Sequence, residues 1–154
     1  VQTCALPILF RTLEKKIGNC NENLIIALFD LDDFKSINDK FGHHIGDLVL
    51  KNITKIVKNN LVLNEVLGRY GGEEFLIIFS STSFENSLAI TEKIRESIEN
   101  IEWEIPLLKV TASFGVAKYK CGSLEKLIQE ADVSLYEAKN RGKNRIAYQE
   151  NNIM

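Results

Sequence analysis

Cysteine is scarce in this chain, with Cys4, Cys20 and Cys121 forming the whole set, and their spacing matches neither a disulfide frame nor a zinc site. That usage excludes a cross-linked scaffold and suits a reducing compartment, so a cytoplasmic location is expected, alone or as the cytoplasmic part of a longer membrane or sensor protein. Long apolar runs are also missing. The longest are Leu24–Phe29 and Phe75–Phe79, far short of the roughly 20 residues that cross a bilayer, so no membrane contact is expected. Nor is there an excess of one charge: 19 Lys and Arg face 21 Asp and Glu, a net charge of −2, which provides no basic field for a long nucleic acid. Repeats, low-complexity tracts and linkers are absent. What remains is an ordinary globular composition, and 154 residues suffice for one domain with a full core.

Val1–Ile8 matches, residue for residue, the translated end of a common sequencing-library adapter. The expected organisation is therefore a non-native segment over 1–8 and one domain over 9–154 whose natural beginning has been lost. Cys4 and Pro7 carry no weight in the fold reasoning.

The rest of the chain alternates between elements. Phe10 to Ile17 reads as the end of a helix and Gly18 to Asn23 as a polar loop. Leu24 to Phe29 is a buried strand by its short unbroken apolar run. Asp32 or Asp33 can cap a short helix that Gly42 closes. Ile45, Leu48, Leu50, Ile53, Ile56 and Val57 follow a mostly helical spacing. A hairpin around Gly71-Gly72 comes next, since glycine accepts positive φ freely. Then follow an amphipathic helix from Phe84 to Ile98, a β region over about Leu107 to Lys118, a helix from Leu124 to Asn140, and a short strand from Arg145 to Tyr148. The order β-α-α-β-β-α-β-α-β predicts an α/β (α+β) domain: a mixed or antiparallel sheet of about five strands with flanking helices.

Two acidic segments carry the chemistry. The first strand runs into Asp30-Leu31-Asp32-Asp33, and the hairpin holds Gly71-Gly72-Glu73-Glu74-Phe75. Adjacent acids on a glycine turn repel unless a cation joins them. If the strand lies beside the hairpin, Asp30, Glu73 and Glu74 converge, a hard oxygen set that suits Mg²⁺ and phosphoryl or nucleotidyl transfer. Taken alone, the first segment could be a helix cap and the second a solvated hairpin tip.

Together these segments resemble the GGDEF family, the diguanylate cyclases. The family pattern Asp, aliphatic, Asp, any, Phe, Lys, any, aliphatic, Asn, Asp reads here from Asp30 to Asp39. Further matches are Phe41-Gly42-His43-His44-Ile45-Gly46-Asp47, the Gly-Gly-Glu-Glu-Phe variant at 71–75, Ser113 to Ala117, and Ala131-Asp132 through Leu135-Tyr136, Ala138-Lys139 and Gly142-Lys143-Asn144. Five ordered motifs cover about Leu24 to Tyr148.

The resemblance implies a ferredoxin-like palm, as in nucleotidyl cyclases, that condenses two GTP into cyclic di-GMP and two pyrophosphates with Mg²⁺ or Mn²⁺. Asp30, the Leu31 carbonyl and Glu74 match the metal ligands. Glu73 matches the group that takes the proton of the ribose 3′-hydroxyl. Asn38 and Asp47 match the guanine contacts, where an aspartate accepting from N1 and N2 selects GTP over ATP. His43, Phe34, Lys35, Gly71, Gly72, Lys139 and Lys143 complete the substrate-binding set, with the lysines on phosphates. The family also implies a homodimer, one GTP per chain, and an upstream sensor domain.

Plainer roles stand beside these. Phe34, Phe75 and Tyr136 suit the core, and Asp132 a structural place. Asn38 could turn the chain, and Lys139 to Arg145 could form a solvated basic helix end. His43-His44 is no metal pair, because adjacent residues on a helix face apart. The family's Arg-x-x-Asp product-inhibition window reads Val62-Leu63-Asn64-Glu65 here, so no feedback through that site is expected. The family's Asp-x-Leu-Thr-x-Leu-x-Asn-Arg block is missing as well, which leaves regulation and pairing open. A silent GTP-binding regulatory module is the alternative to an enzyme. A polymerase-like or adenylyl-cyclase-like palm would share the acids but not Asn38 and Asp47.

Overall fold

An unbroken apolar strand has to be covered on both faces, and Ile25–Leu31 (β2) is buried along its entire length. The computed structural model, which describes residues 3–4, 6–18, 23–62 and 64–150, supplies the two covers. Ile25, Ala27, Phe29 and Leu31 face a core built with Phe34–Phe41 (α2), His43–Asn60 (α3) and Phe84–Glu99 (α4). Ile26 and Leu28 face the other way, against Leu6–Gly18 (α1) and Leu124–Asn140 (α5). This is the period-two alternation of a central strand.

β2 lies at the middle of the sheet, antiparallel to both Glu74–Phe79 (β4) and Ala112–Lys118 (β5). Val66–Arg69 (β3) pairs antiparallel with β4, and Ile146–Tyr148 (β6) pairs parallel with β5. Thr3–Cys4 (β1) adds a two-residue parallel strand outside β3, so the expected mixed sheet of about five strands gains a short edge, in the order β1-β3-β4-β2-β5-β6. The adapter origin of residues 1–8 is a proposal that rests on the residue match alone. Most of the loop expected at Gly18 to Asn23 lies outside the described residues.

Three phenylalanines tie the central strands together. Phe29 stacks on Phe75 with centroids 5.2 Å apart and meets Phe114 at 4.8 Å. Such pairs contribute about 0.5–1.5 kcal/mol beyond their buried area. Two of the helices around them are capped at their N-termini: Ser83 and Ser123 cap α4 and α5, accepting from Asn86 N at 3.1 Å and Lys126 N at 3.2 Å.

Three expectations need correction. The β region expected from Leu107 begins only at Ala112; Leu107 is exposed with φ 67°. Neither Asp32 nor Asp33 caps α2 with its side chain. Asp33 holds the N-cap position with φ 54° and gives its carboxylate to Lys143 instead. Tyr136 is not in the core but 68% exposed, on the outer side of α5.

Candidate active site

The sheet register decides where the acids meet. Asp30 is the cross-strand partner of Glu74, and both share the sheet face that α5 covers. Directly opposed residues hold their Cβ atoms about 4.5–5.5 Å apart, so the two carboxylates are neighbours by backbone geometry alone. α5 rides unusually close on β5: a Cβ on Gly115 would come within 2.1 Å of the Ala131 carbonyl oxygen. Ala131, Leu135 and Lys139 form one stripe at helical spacing, and the stripe ends with the Lys139 ammonium against Asp30 Oδ1. That buried oxygen has no other donor among the described residues.

Burial pushes the Asp30 carboxyl above its ordinary value, helped by Asp32 and Glu73 and opposed by Lys139. Burial likewise raises Glu74, with the charges of Asp30, Asp132 and Glu73 adding to it and Lys139 opposing. Asp30 and Glu74 thus feel each other and three further carboxylates, Asp32, Glu73 and Asp132, against one ammonium, which therefore stands where a hard cation would be stabilised. Among the described residues no three carboxylate, imidazole or thiol side chains cluster as metal ligands. The expected set asks for two carboxylates and a backbone carbonyl. Asp30 and Glu74 supply the pair, and Leu31 buries its side chain in the core, leaving its backbone for such a role.

Adjacent to this pair, the hairpin turn from Tyr70 to Glu73 closes through the amides of Tyr70 and Gly71, which donate to the Glu74 carbonyl at 2.9 and 3.1 Å. The two glycines do not take positive φ there, contrary to the reason given for them. The requirement is space. A Cβ on Gly71 would sit 3.0 Å from Glu74 Oε2, whereas Gly72 has nothing within 4 Å and leaves room beside its backbone. Arg69 clasps the carbonyls of Gly71 and Gly72.

On the other side of the turn, a cleft of about 430 Å³ runs along α2 and α3, lined by Phe34, Lys35, Asn38, Asp47, Leu50, Arg69, Gly72 and Glu73. An adjoining hollow shares Asp47, Leu50 and Arg69. Six of the substrate and catalytic residues read from the sequence are therefore gathered in one cleft: Phe34, Lys35, Asn38, Asp47, Gly72 and Glu73. Phe34 lies there with its ring buried, so it serves core and cleft together. Asn38 leans over Gly46, whose missing side chain makes its seat: a Cβ there would be 1.8 Å from Asn38 Oδ1.

Other expected residues lie outside the cleft lining. His43 is exposed at the start of α3. Lys139 is on Asp30, and Lys143 is 2.7 Å from Asp33. In the product-inhibition window Leu63 lies outside the described residues. Glu65 is buried and folds back on its own turn, its Oε2 accepting from Val62 N at 3.1 Å.

Two residues escaped the sequence reading. Asp32 is 5% exposed and fastens three segments: its carboxylate accepts from Thr111 Oγ1 at 2.7 Å, Ser113 Oγ at 2.6 Å and Asn144 N at 3.0 Å. Arg69 is the other; the signal was its place two residues before the glycines. For Asp32 the local signal pointed to a helix cap, because its actual partners lie far along the chain.

The sequence matches the family described as "Diguanylate cyclase, GGDEF domain" over residues 7–145. Diguanylate cyclase A of Treponema denticola is 39% identical over 140 residues, covering 88% of this chain and 38% of that protein. Diguanylate cyclase DosC of Escherichia coli is 33% identical over 148 residues, covering 92% of this chain and 32% of its own length. The chain thus spans less than half the length of these relatives. Among solved structures, the active GGEEF domain of a diguanylate cyclase from Vibrio cholerae superposes with a TM-score of 0.88 at 28% identity, covering 97% of this chain and 99% of that one. The GGDEF domain of DgcB from Caulobacter crescentus, in complex with c-di-GMP, gives 0.90 at 26% identity, covering 95% and 91%. With sequence and fold both matched over nearly all of its length, the chain belongs to the GGDEF family.

Proposed function

We propose that this domain is a diguanylate cyclase, condensing two GTP into cyclic di-GMP with release of two pyrophosphates. The observation that carries the reading is the division of labour within Glu73-Glu74. Glu74 faces Asp30 across the strands, while Glu73 opens into the cleft beside Asn38 and Asp47.

Asp30, Glu74 and the Leu31 carbonyl would hold Mg²⁺ or Mn²⁺, which when bound offsets the charge of the triphosphate and of the leaving oxygen. Glu73 takes the proton of a ribose 3′-hydroxyl. The freed oxygen bonds to the α-phosphorus of the other GTP, the α–β bridge bond breaks, and pyrophosphate departs with its electron pair. Two such events close the ring. Asp47 accepts from the N1 and N2 protons of guanine, a pattern adenine lacks, and Asn38 completes the base contact. Lys35, Lys139 and Lys143 meet phosphate oxygens as point charges; the last two are seated by their ion pairs at the carboxyl end of β2. His43 serves at the rim.

Each chain holds one GTP, so turnover needs a homodimer. The relatives' greater length supports reading this as the catalytic part, over 9–154, of a longer protein with an upstream sensor domain, acting in the cytoplasm. No described helix is long and apolar enough to cross a membrane.

The test is product analysis with GTP and Mg²⁺ across a range of protein concentrations, beside Glu73→Gln and with ATP as the control substrate. Cyclic di-GMP that rises faster than linearly with protein, vanishes in Glu73→Gln and does not form an adenine counterpart is the expected result. GTP binding without product, even in a dimerising fusion, would overturn the enzyme and leave a regulatory module.

A further inference from the structure

Two glycines in succession have more backbone freedom than any other residue pair, so the order of the Gly71-Gly72 turn has to come from outside it. Arg69 is where it comes from. Its Nε lies 3.2 Å from the Gly71 carbonyl oxygen and 3.0 Å from that of Gly72, and its Nη2 is 2.5 Å from the latter. One planar guanidinium therefore holds two consecutive carbonyls.

The peptide bonds here are trans, which sets each carbonyl opposite the N–H of the following residue. Drawing the Gly71 and Gly72 carbonyls toward Arg69 turns the amides of Gly72 and Glu73 away from it. Among the described residues neither amide has a hydrogen-bond partner, whereas Tyr70 and Gly71 both donate to the Glu74 carbonyl. Successive amides turned one way make a place for an anion. The space beside Gly72 is open, and the cleft that Arg69 lines also contains Asn38, Asp47 and Glu73.

We propose that Arg69 is a positioning residue for the reaction: it locks the turn so that the Gly72 and Glu73 amides are presented to a phosphate oxygen and the Glu73 carboxylate keeps a fixed place in the cleft. The inference rests on the cyclase reading for the identity of that phosphate. Arginine is needed because its fork reaches two acceptors, while a lysine ammonium is a single mobile point charge.

The test compares the full chain with Arg69→Gln and Arg69→Lys by four measurements: melting temperature, affinity for a GTP analogue with a non-hydrolysable α–β bridge, cyclic di-GMP turnover, and the NMR amide signals of Gly72 and Glu73. Arg69 is exposed, so melting should shift by no more than about 2 °C. Analogue affinity should stay within about twofold, because Asn38 and Asp47 carry the base contact. Turnover should fall about tenfold to a hundredfold, Arg69→Lys should rescue little of it, and both amide signals should move and exchange faster. Unchanged turnover, or unchanged amide signals, overturns the proposal. So does a loss of turnover that tracks melting and affinity, because that is the mark of a merely structural residue. Should the wild-type chain make no product even in a dimerising fusion, the cyclase reading falls, and the amide signals alone decide the role of Arg69.

Discussion

Replacing Gly46 by alanine separates stability from guanine binding at one position. Gly46 is buried on α3, and a Cβ there would lie 1.8 Å from Asn38 Oδ1, 2.9 Å from Asn38 Cγ and 3.3 Å from Phe34 Cζ. Neither carbon nor oxygen tolerates 1.8 Å, so the Asn38 amide must swing away. Alanine within a helix gains about 0.5–1 kcal/mol over glycine. A displaced or off-rotamer asparagine costs about 0.5–1.5 kcal/mol. The two nearly cancel, and melting should move by no more than about 2–4 °C. Binding has no such compensation. Loss of one base hydrogen bond weakens affinity by about 1–1.5 kcal/mol, or roughly tenfold. Titration calorimetry with a non-hydrolysable GTP analogue, paired with thermal denaturation, reads both quantities. Wild-type affinity in Gly46→Ala would refute Asn38 as a guanine ligand, and a melting loss above about 10 °C would show that the Asn38–Gly46 contact supports the fold.

Two further outcomes follow from the acids. Asp32→Ala removes the acceptor for Thr111, Ser113 and Asn144, and should cost about 2–3 kcal/mol, lowering the melting point by roughly 5–10 °C; a shift under about 2 °C would show the clasp to be dispensable. Burial and neighbouring carboxylates raise Glu74 above its ordinary 4.5. A carboxyl raised on folding stabilises while protonated; that contribution is full below the unfolded value and is lost as pH climbs through the raised one. Glu74→Gln should therefore melt above wild type at about pH 7, lose most of that advantage by about pH 4, and fail to gain the stabilisation that Mg²⁺ or Mn²⁺ gives wild type. Equal melting at both pH values would refute the repulsion.

Much of this architecture was legible because it rests on local periodicity. The short apolar run at 24–29 reads as a buried strand, and Leu124 to Asn140 reads as a helix. The meeting of Asp30 with Glu74 followed once strand and hairpin were taken as neighbours, whereas Glu73, expected to join them, lines the cleft instead. What escaped depends on partners remote in sequence or on the third dimension of a turn. Asp32 carries the local pattern of a cap, yet its acceptors are satisfied from positions 111, 113 and 144. Gly71 and Gly72 looked like conformational necessities, yet neither takes positive φ; Gly71 stands close to the Glu74 carboxylate and Gly72 borders open space. Tyr136, read as core, shares its helix with buried Leu135 but points outward, a matter of one residue of rotation.

The pairing of Asp30 with Glu74 through ladder register also governs which length changes evolution or an engineer can make in this domain. A strand's side chains alternate faces, so adding or deleting one residue in β2 ahead of Asp30, or in β4 just after Glu74, would send one carboxylate through the sheet to the opposite core. The protein would keep its composition and lose its site in one step. The irregular stretch from Ile101 to Thr111 lies outside that ladder, and its exposed Leu107 marks a place where residues can be added without disturbing the acid pair. Insertions that introduce a sensor or a tag belong there, and in-frame insertion or deletion of a single codon in β2 or β4 is the most economical way to silence the domain.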